Sequence, residues 1–237
     1  MTILCLGCSY TYGEGVEPHE TYPAHLQDIT GMKTINAAYR GSDINHAIWT
    51  GHTLLNEYKP KIVILQLTSF DRFTYCSDGL KNFVLGKTVS ENKRYIYDNF
   101  EEDSVYKRVY NANAEYHYEL LTKATYIESK NKWSLALNHK YKAHTYLYEN
   151  VCSSDYRFFQ TLAAIDMFTK YCQYQGYKVI IFSWLEYPKE LTKYLTTPVS
   201  VLPSLNDYVI DNGGHINSDG LYNLAKEYLY PIIKDFV

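Results

Sequence analysis

Apolar and polar residues follow one another in blocks that predict strands and helices in turn. Short continuous apolar runs, typical of strands buried on both faces, occupy residues 3–6, 61–68 and 177–184, and a weaker run covers 33–38. Helical patterns cover residues 22–31, 44–58, 155–176 and 221–237. Gly31 and Gly176 are expected to end the first and third of these helices. Ser42 or Asp43 is expected to cap the start of the helix over 44–58, and Pro60 follows its end. This alternation predicts a parallel sheet covered by helices on both faces.

The middle of the chain interrupts this order. Residues 69–154 are polar and rich in tyrosine, with only weak helical patterns, and are too long for a bare loop in a compact domain. We therefore expect one domain spanning residues 1–237, with a mostly helical insertion after the third strand. The insertion's aromatic side chains would face a ring-shaped substrate or a partner subunit, or would merely cover the sheet.

Composition narrows the function classes. A net charge of -3 with interspersed signs argues against a nucleic-acid partner, and the absence of an 18-residue apolar run argues against a membrane partner. The first residues carry no basic region and lead directly into the first strand, so we expect no signal peptide. The chain has five cysteines, an odd number. Without a signal peptide, this favours reduced thiols and a cytoplasmic protein.

The spacing of Cys5 and Cys8 leaves a redox or zinc site open as an alternative. The other cysteines do not form a second close pair, and Cys5 falls inside the predicted strand. The histidines also lack ligand spacing, so we expect neither a metal nor a cofactor. The 26 tyrosines would suit sugar rings, although tyrosine also fills half-buried surfaces.

Two short segments near the chain ends carry the chemistry. The first strand breaks at Gly7 and presents Ser9 on the loop that follows, at the edge of the sheet where parallel α/β folds bind ligands. Near the other end, Asp211 precedes His215 by four residues, just before the last helix. A serine hydroxyl becomes a nucleophile when a histidine takes its proton and an acid orients the imidazole. The alternative is an ordinary Gly/Ser turn with His215 at the surface.

These segments resemble the SGNH (GDSL-like) hydrolases. Their first block, Gly-Asp-Ser-x-Thr-x-Gly, matches residues 7–13 at every position except the aspartate, which is Cys8 here. Their last block places an aspartate shortly before a histidine, as Asp211 and His215 stand here. The resemblance covers residues 1–70 and 160–237. It implies a flavodoxin-like three-layer α/β/α sandwich with a mainly parallel sheet, and a serine esterase that works through an acyl-serine intermediate.

The resemblance also implies an oxyanion hole, built from the N–H of Ser9 and the N–H of Gly41. The family's third donor is an asparagine, but its block is replaced by residues 66–72, so Thr68, Ser69 or Asn45 is the candidate here. The family's acid usually lies three residues before the histidine. That position is Asn212 here. Either a bulge at the extra glycine restores the role of Asp211, or the orienting group is weak or absent and a backbone carbonyl serves instead.

For the substrate we expect a small ester, with an O-acetyl group on a carbohydrate as the class implied by resemblance. Arg72 and Tyr10 are assigned to substrate binding, although an arginine just past a strand is often only solvated or paired. Two further functions stay open: an acyltransferase with the same site, and a non-catalytic carbohydrate-binding descendant. Association of the chain into homo-oligomers is also left open.

Overall fold

The fold was obtained as a computed structural model that describes residues 1–38, 42–68, 95–96, 154–183, 195–201, 205–210 and 214–237. At 95–96, 154–157, 201 and 206 it describes the backbone alone. The strands are β1 (Thr2–Leu6), β2 (Lys33–Asn36), β3 (Ile62–Leu67), β4 (Tyr95–Ile96), β5 (Lys178–Ser183) and β6 (Val199–Val201). The helices are α1 (Ser9–Tyr12), α2 (Tyr22–Thr30), α3 (Ile44–Tyr58), α4 (Ser154–Tyr174), α5 (Ser218–Asn223) and α6 (Tyr230–Ile233).

The six strands form one sheet in the order β4-β2-β1-β3-β5-β6. Five of them run parallel, and β4 pairs antiparallel with β2 at the edge. The central strands are buried on both faces, which is why their sequences are continuously apolar rather than alternating. In β1, Leu4 and Leu6 face one hydrophobic core, while Ile3 and Cys5 face the other.

Helices supply the outer layers of both cores. On one face α3 and α4 contribute residues such as Ile44, Leu55 and Phe168. On the other face lie α2 and the C-terminal helices, with Tyr22, Leu224 and others. The predicted three-layer α/β/α architecture with a mainly parallel sheet is therefore confirmed. No helix of the described ranges is both long and apolar enough to cross a membrane.

Local signals placed most helix ends correctly. The Asp43 carboxylate accepts the His46 N–H and caps α3, and the hydroxyl of Thr21 caps α2. Gly31 ends α2 with a positive φ of 68°. Helix α4 ends before Gly176, which has a φ of 81°.

Two elements differ from the prediction. β6 lies in a proline-containing stretch for which we expected no strand, because three residues at a sheet edge are too short to show a period. The single C-terminal helix expected over 221–237 starts earlier, at Ser218, and is divided by a π-helical segment, Leu224–Leu229. Tyr230 and then Pro231 follow that segment at the start of α6, and the proline has no N–H to donate to the preceding turn.

The expected insertion lies almost wholly outside the described residues. Its described parts are Tyr95–Ile96, which extend the sheet beside β2, and Ser154, the first residue of α4. The rest of the 69–154 segment, including its expected helical character, stays a prediction.

Candidate active site

Ser9 begins a single helical turn at the carboxyl end of β1. The sequence predicts a loop here, but α1 forms because the Ser9 carbonyl accepts the N–H groups of Gly13 and Glu14, both at 3.0 Å. Gly13 ends the turn with a φ of 89°. The first N–H groups of a helical turn have no partner within the turn itself. Ser9 itself is 7% exposed.

The Gly-x-Ser-x-Thr-x-Gly pattern has a packing reason at each of its other positions. A Cβ on Gly7 would lie 2.5 Å from the Gln66 Oε1 atom, so the turn passes β3 too closely for a side chain. The Thr11 hydroxyl donates to the same Gln66 oxygen at 3.0 Å. Gly13 combines its positive φ with close packing against Thr21. The pattern therefore describes a turn pressed against the neighbouring strand.

His215 is held by backbone pairing on one side and a helix cap on the other. The Ile210 N–H donates to the His215 carbonyl at 2.8 Å, and the Asn217 N–H donates to the Tyr208 carbonyl at 2.9 Å. Asn217 then caps α5, accepting the Gly220 N–H at 3.0 Å. These contacts fix the histidine at the start of the last helix.

The structure brings these two segments into contact. The Nε2 atom of His215 lies 2.9 Å from the Ser9 Oγ atom, across 206 positions of sequence. The Tyr10 ring packs against the imidazole, with ring centroids 5.1 Å apart and planes inclined by 46°. Gly214, with a φ of 77°, gives the Tyr10 hydroxyl room, since a Cβ there would lie 3.0 Å from it. With Nε2 unprotonated, this geometry allows the imidazole to accept the serine proton.

A second serine–histidine pair shows why contact alone does not make a nucleophile. Ser42 Oγ lies 2.8 Å from His46 Nδ1, but the hydroxyl also bonds to the Asp43 carbonyl at 3.0 Å. Both side chains are only 1% exposed. Ser42 therefore forms part of the buried start of α3, and its hydroxyl is occupied by a neighbouring backbone carbonyl.

Of the other candidate site residues, the structure describes Thr68 and Asn45. Thr68 follows β3 at the same edge as Ser9 and is 5% exposed. The Asn45 amide donates to the Thr161 hydroxyl at 3.4 Å, which directs it toward α4. Their oxyanion roles stay predictions. Four expected residues lie outside the described residues, and their roles also stay predictions: Gly41, Ser69, Arg72 and Asp211.

Two polar residues that organise the serine turn are not predicted from the sequence. The Gln66 Oε1 atom accepts the Cys8 N–H at 3.0 Å as well as the Thr11 hydroxyl, and Gln66 is 1% exposed. The Asn36 amide donates to the Thr11 carbonyl at 2.8 Å from the end of β2. A signal was present: each is a polar residue inside or ending a buried strand, and such residues are retained where they have partners.

Burial keeps the groups beneath the turn neutral. Cys5 is fully buried in β1, and this burial raises the pKa of its thiol, with a partly opposing hydrogen bond from Tyr22. Burial, followed by the nearby Cys5, raises the pKa of Tyr22 well above its usual value. A redox or metal role needs a thiolate, so these shifts argue against that alternative for Cys5.

Comparison with solved structures supports the fold. The esterase EstA from Pseudoalteromonas sp. superposes with a TM-score of 0.50 at 14% identity, covering 99% of this chain and 97% of that one. TesA superposes with a TM-score of 0.52 at 12% identity over the full length of both chains. The acetyl xylan esterase Est2A from Butyrivibrio proteoclasticus gives 0.51 at 10% identity, covering 99% of this chain and 64% of that one.

These likenesses agree with the fold that the resemblance to SGNH hydrolases implied. No protein-family model matches the chain, and no curated protein matches it in sequence. At such low identities, the structural comparison establishes the fold alone.

Proposed function

We propose that this chain is a serine esterase of the SGNH type. The observation that carries the proposal is the 2.9 Å contact between Ser9 Oγ and His215 Nε2 at the carboxyl edge of a parallel sheet. Parallel α/β sheets bind their ligands at that edge. Solved structures with this fold include proteins named as esterases, which supports an ester as the substrate class.

In the proposed reaction, Ser9 Oγ attacks the ester carbonyl carbon while its proton moves to His215 Nε2. The tetrahedral intermediate collapses, the bond from carbon to the alcohol oxygen breaks, and the imidazolium returns the proton to the departing alcohol. Water then attacks the acyl-serine with the same histidine as base, releasing the acid and restoring Ser9. Asp211 is proposed to orient the imidazole.

The oxyanion that forms in each attack needs donors aligned in advance. One preorganised donor typically contributes about 3–4 kcal/mol to the transition state. The N–H of Ser9 begins α1 and is the first candidate, and the N–H of Gly41 is the second. Thr68 or Ser69 is the third, and Asn45 would serve only after leaving its Thr161 contact.

For the substrate, we propose an O-acetyl group on a carbohydrate. The acetyl xylan esterase among the similar folds supports this class, as do the many tyrosines of the chain. Tyr10 already packs against His215, so a substrate at Ser9 would meet its ring. Arg72 would contact an anionic group. If a sugar hydroxyl replaces water in the second half of the reaction, the same residues transfer the acyl group instead.

The experiment combines covalent labelling with hydrolysis. Intact-mass spectrometry after fluorophosphonate treatment should show one adduct, and peptide mapping should locate it on Ser9 rather than on Ser42. Hydrolysis of a chromogenic acetate ester should rise with pH as imidazoles lose their proton. Ser9→Ala and His215→Ala should lose activity to a similar extent, because the two groups act as a unit.

A matched control is His52→Ala. His52 packs against Phe168 and Tyr171 on the other face of the sheet, so its removal should leave labelling and hydrolysis unchanged. A wild-type protein that neither labels nor hydrolyses at any pH up to about 9 contradicts the esterase and favours the non-catalytic descendant.

A further inference from the structure

One buried oxygen accepts hydrogen bonds from residues that precede and follow Ser9 in the sequence. Gln66 Oε1 accepts the Cys8 N–H at 3.0 Å, the Cys8 thiol at 3.3 Å and the Thr11 hydroxyl at 3.0 Å. The other end of the same amide donates to the Leu67 carbonyl at 2.7 Å. That bond assigns the orientation of the amide, because the nitrogen faces a carbonyl and the oxygen faces three donors.

These contacts bracket the nucleophile along the chain. Cys8 precedes Ser9 and is the N-cap of α1, and Thr11 lies two residues after Ser9 on the same turn. Anchoring both to one atom of β3 fixes where the turn begins and how it is rotated. Gly7 makes the approach possible, since a Cβ there would lie 2.5 Å from the same oxygen. The position of Ser9 Oγ is thus defined relative to β3.

Gln66 occupies a strand that would be wholly apolar without it. It is 1% exposed and interrupts a run of buried aliphatic residues in β3. A buried amide persists at such a place when each of its polar atoms is satisfied, as it is here. Its carbonyl oxygen accepts from the donors of the serine turn, and its amino group donates to the Leu67 carbonyl. The arrangement needs both a neutral side chain and an acceptor of this length.

We propose that Gln66 is a positioning residue for the nucleophile, acting through Oε1 on the turn that carries Ser9. The inference rests on the proposed function for its catalytic readout and goes beyond it by adding a residue that touches no substrate. It predicts that losing the acceptor lowers the rate of attack by Ser9 while leaving substrate affinity nearly unchanged.

The test removes the acceptor with a variant of similar length. Gln66→Met carries no oxygen at this place and adds no charge. Second-order labelling of Ser9 by a fluorophosphonate, and kcat and KM on a chromogenic acetate, are measured at temperatures well below each variant's unfolding. Since misplacing a reacting atom by about 1 Å costs up to roughly 100-fold, Gln66→Met should lose about 10- to 100-fold in labelling and kcat. Its KM should change by less than about threefold.

Gln27→Met is the matched control. Gln27 Oε1 also accepts a backbone N–H, that of Thr34 at 2.9 Å, but it tethers α2 to β2 rather than the serine turn. Its loss should lower stability without lowering the labelling rate. If Gln66→Met labels like the wild type, or if Gln27→Met loses as much of the labelling rate, the positioning role is overturned.

A readout independent of catalysis separates this proposal from the esterase itself. Hydrogen exchange of the Cys8 amide should be faster in Gln66→Met than in the wild type and in Gln27→Met. If the wild type shows neither labelling nor hydrolysis, the proposed function is refuted. The hydrogen-exchange rate of the Cys8 amide then still decides whether Gln66 anchors the serine turn. If Gln66→Met fails to fold, Thr11→Val replaces it, and Thr11→Ser, which keeps the hydroxyl, is its control. Thr11→Val should be labelled more slowly than Thr11→Ser. Equal labelling rates overturn the proposal.

Discussion

Introducing at position 8 the aspartate of the SGNH first block should destabilise this protein rather than improve it. Cys8 occupies the position of that aspartate and is fully buried. Its thiol lies 3.3 Å from Gln66 Oε1 and 4.0 Å from Ser9 Oγ. In Cys8→Asp, a carboxylate would therefore face an amide oxygen that is itself an acceptor, so the two oxygens repel each other.

The magnitude follows from burial. A buried charge without a partner costs on the order of 3–5 kcal/mol, unless the group takes up a proton instead. Both burial and the facing oxygen raise the pKa of the new carboxyl above its unfolded value of about 3.9. The folded state therefore binds the proton more tightly than the unfolded state. The destabilisation is small below about pH 4 and grows as the pH rises through the folded pKa.

The assay is thermal unfolding from pH 4 to 8. For a chain of this size, a loss of about 3 kcal/mol corresponds to a Tm lower by roughly 6–12 °C. Cys8→Asn is the matched control, because its amide has the size of the acid, carries no charge and can donate to Gln66. We expect Cys8→Asn to lose little stability and its Tm to show no added pH dependence. If Cys8→Asp matches Cys8→Asn at pH 8, or hydrolyses esters faster than the wild type, the reasoning is wrong.

Two further predictions concern the core and the orienting acid. Gly51→Ala should lower the urea midpoint, because its Cβ would lie 2.6 Å from a Leu6 methyl and 2.7 Å from the Phe168 ring. Overpacking costs about 1–3 kcal/mol, against roughly 1 kcal/mol gained in helix propensity, and an increased midpoint would contradict this. Asp211→Asn should lower kcat far more than Asn212→Ala, because a carboxylate stabilises the imidazolium and an amide does not. The reverse order would assign the orienting role to Asn212.

Much of the fold could be predicted because its signals are local. The continuous apolar run of β3 requires burial on both faces, which only a helix-covered parallel sheet provides. Asp43 and Gly31 act through their own backbone, so a cap and a positive φ can be inferred from neighbouring residues alone. The edge strand β6 could not be predicted, because its pairing with β5 depends on where the chain returns in space.

The amino-acid sequence by itself determined which residue types could carry the chemistry, namely a serine after the first strand and a histidine before the last helix. Only the tertiary structure decided that these two meet at 2.9 Å while the Ser42–His46 pair is buried in a helix start. It also decided that Gln66 anchors the serine turn, from 58 positions away in sequence. Hydrogen bonds depend on atoms within about 3 Å, and packing of the sheet, not spacing along the chain, sets those distances.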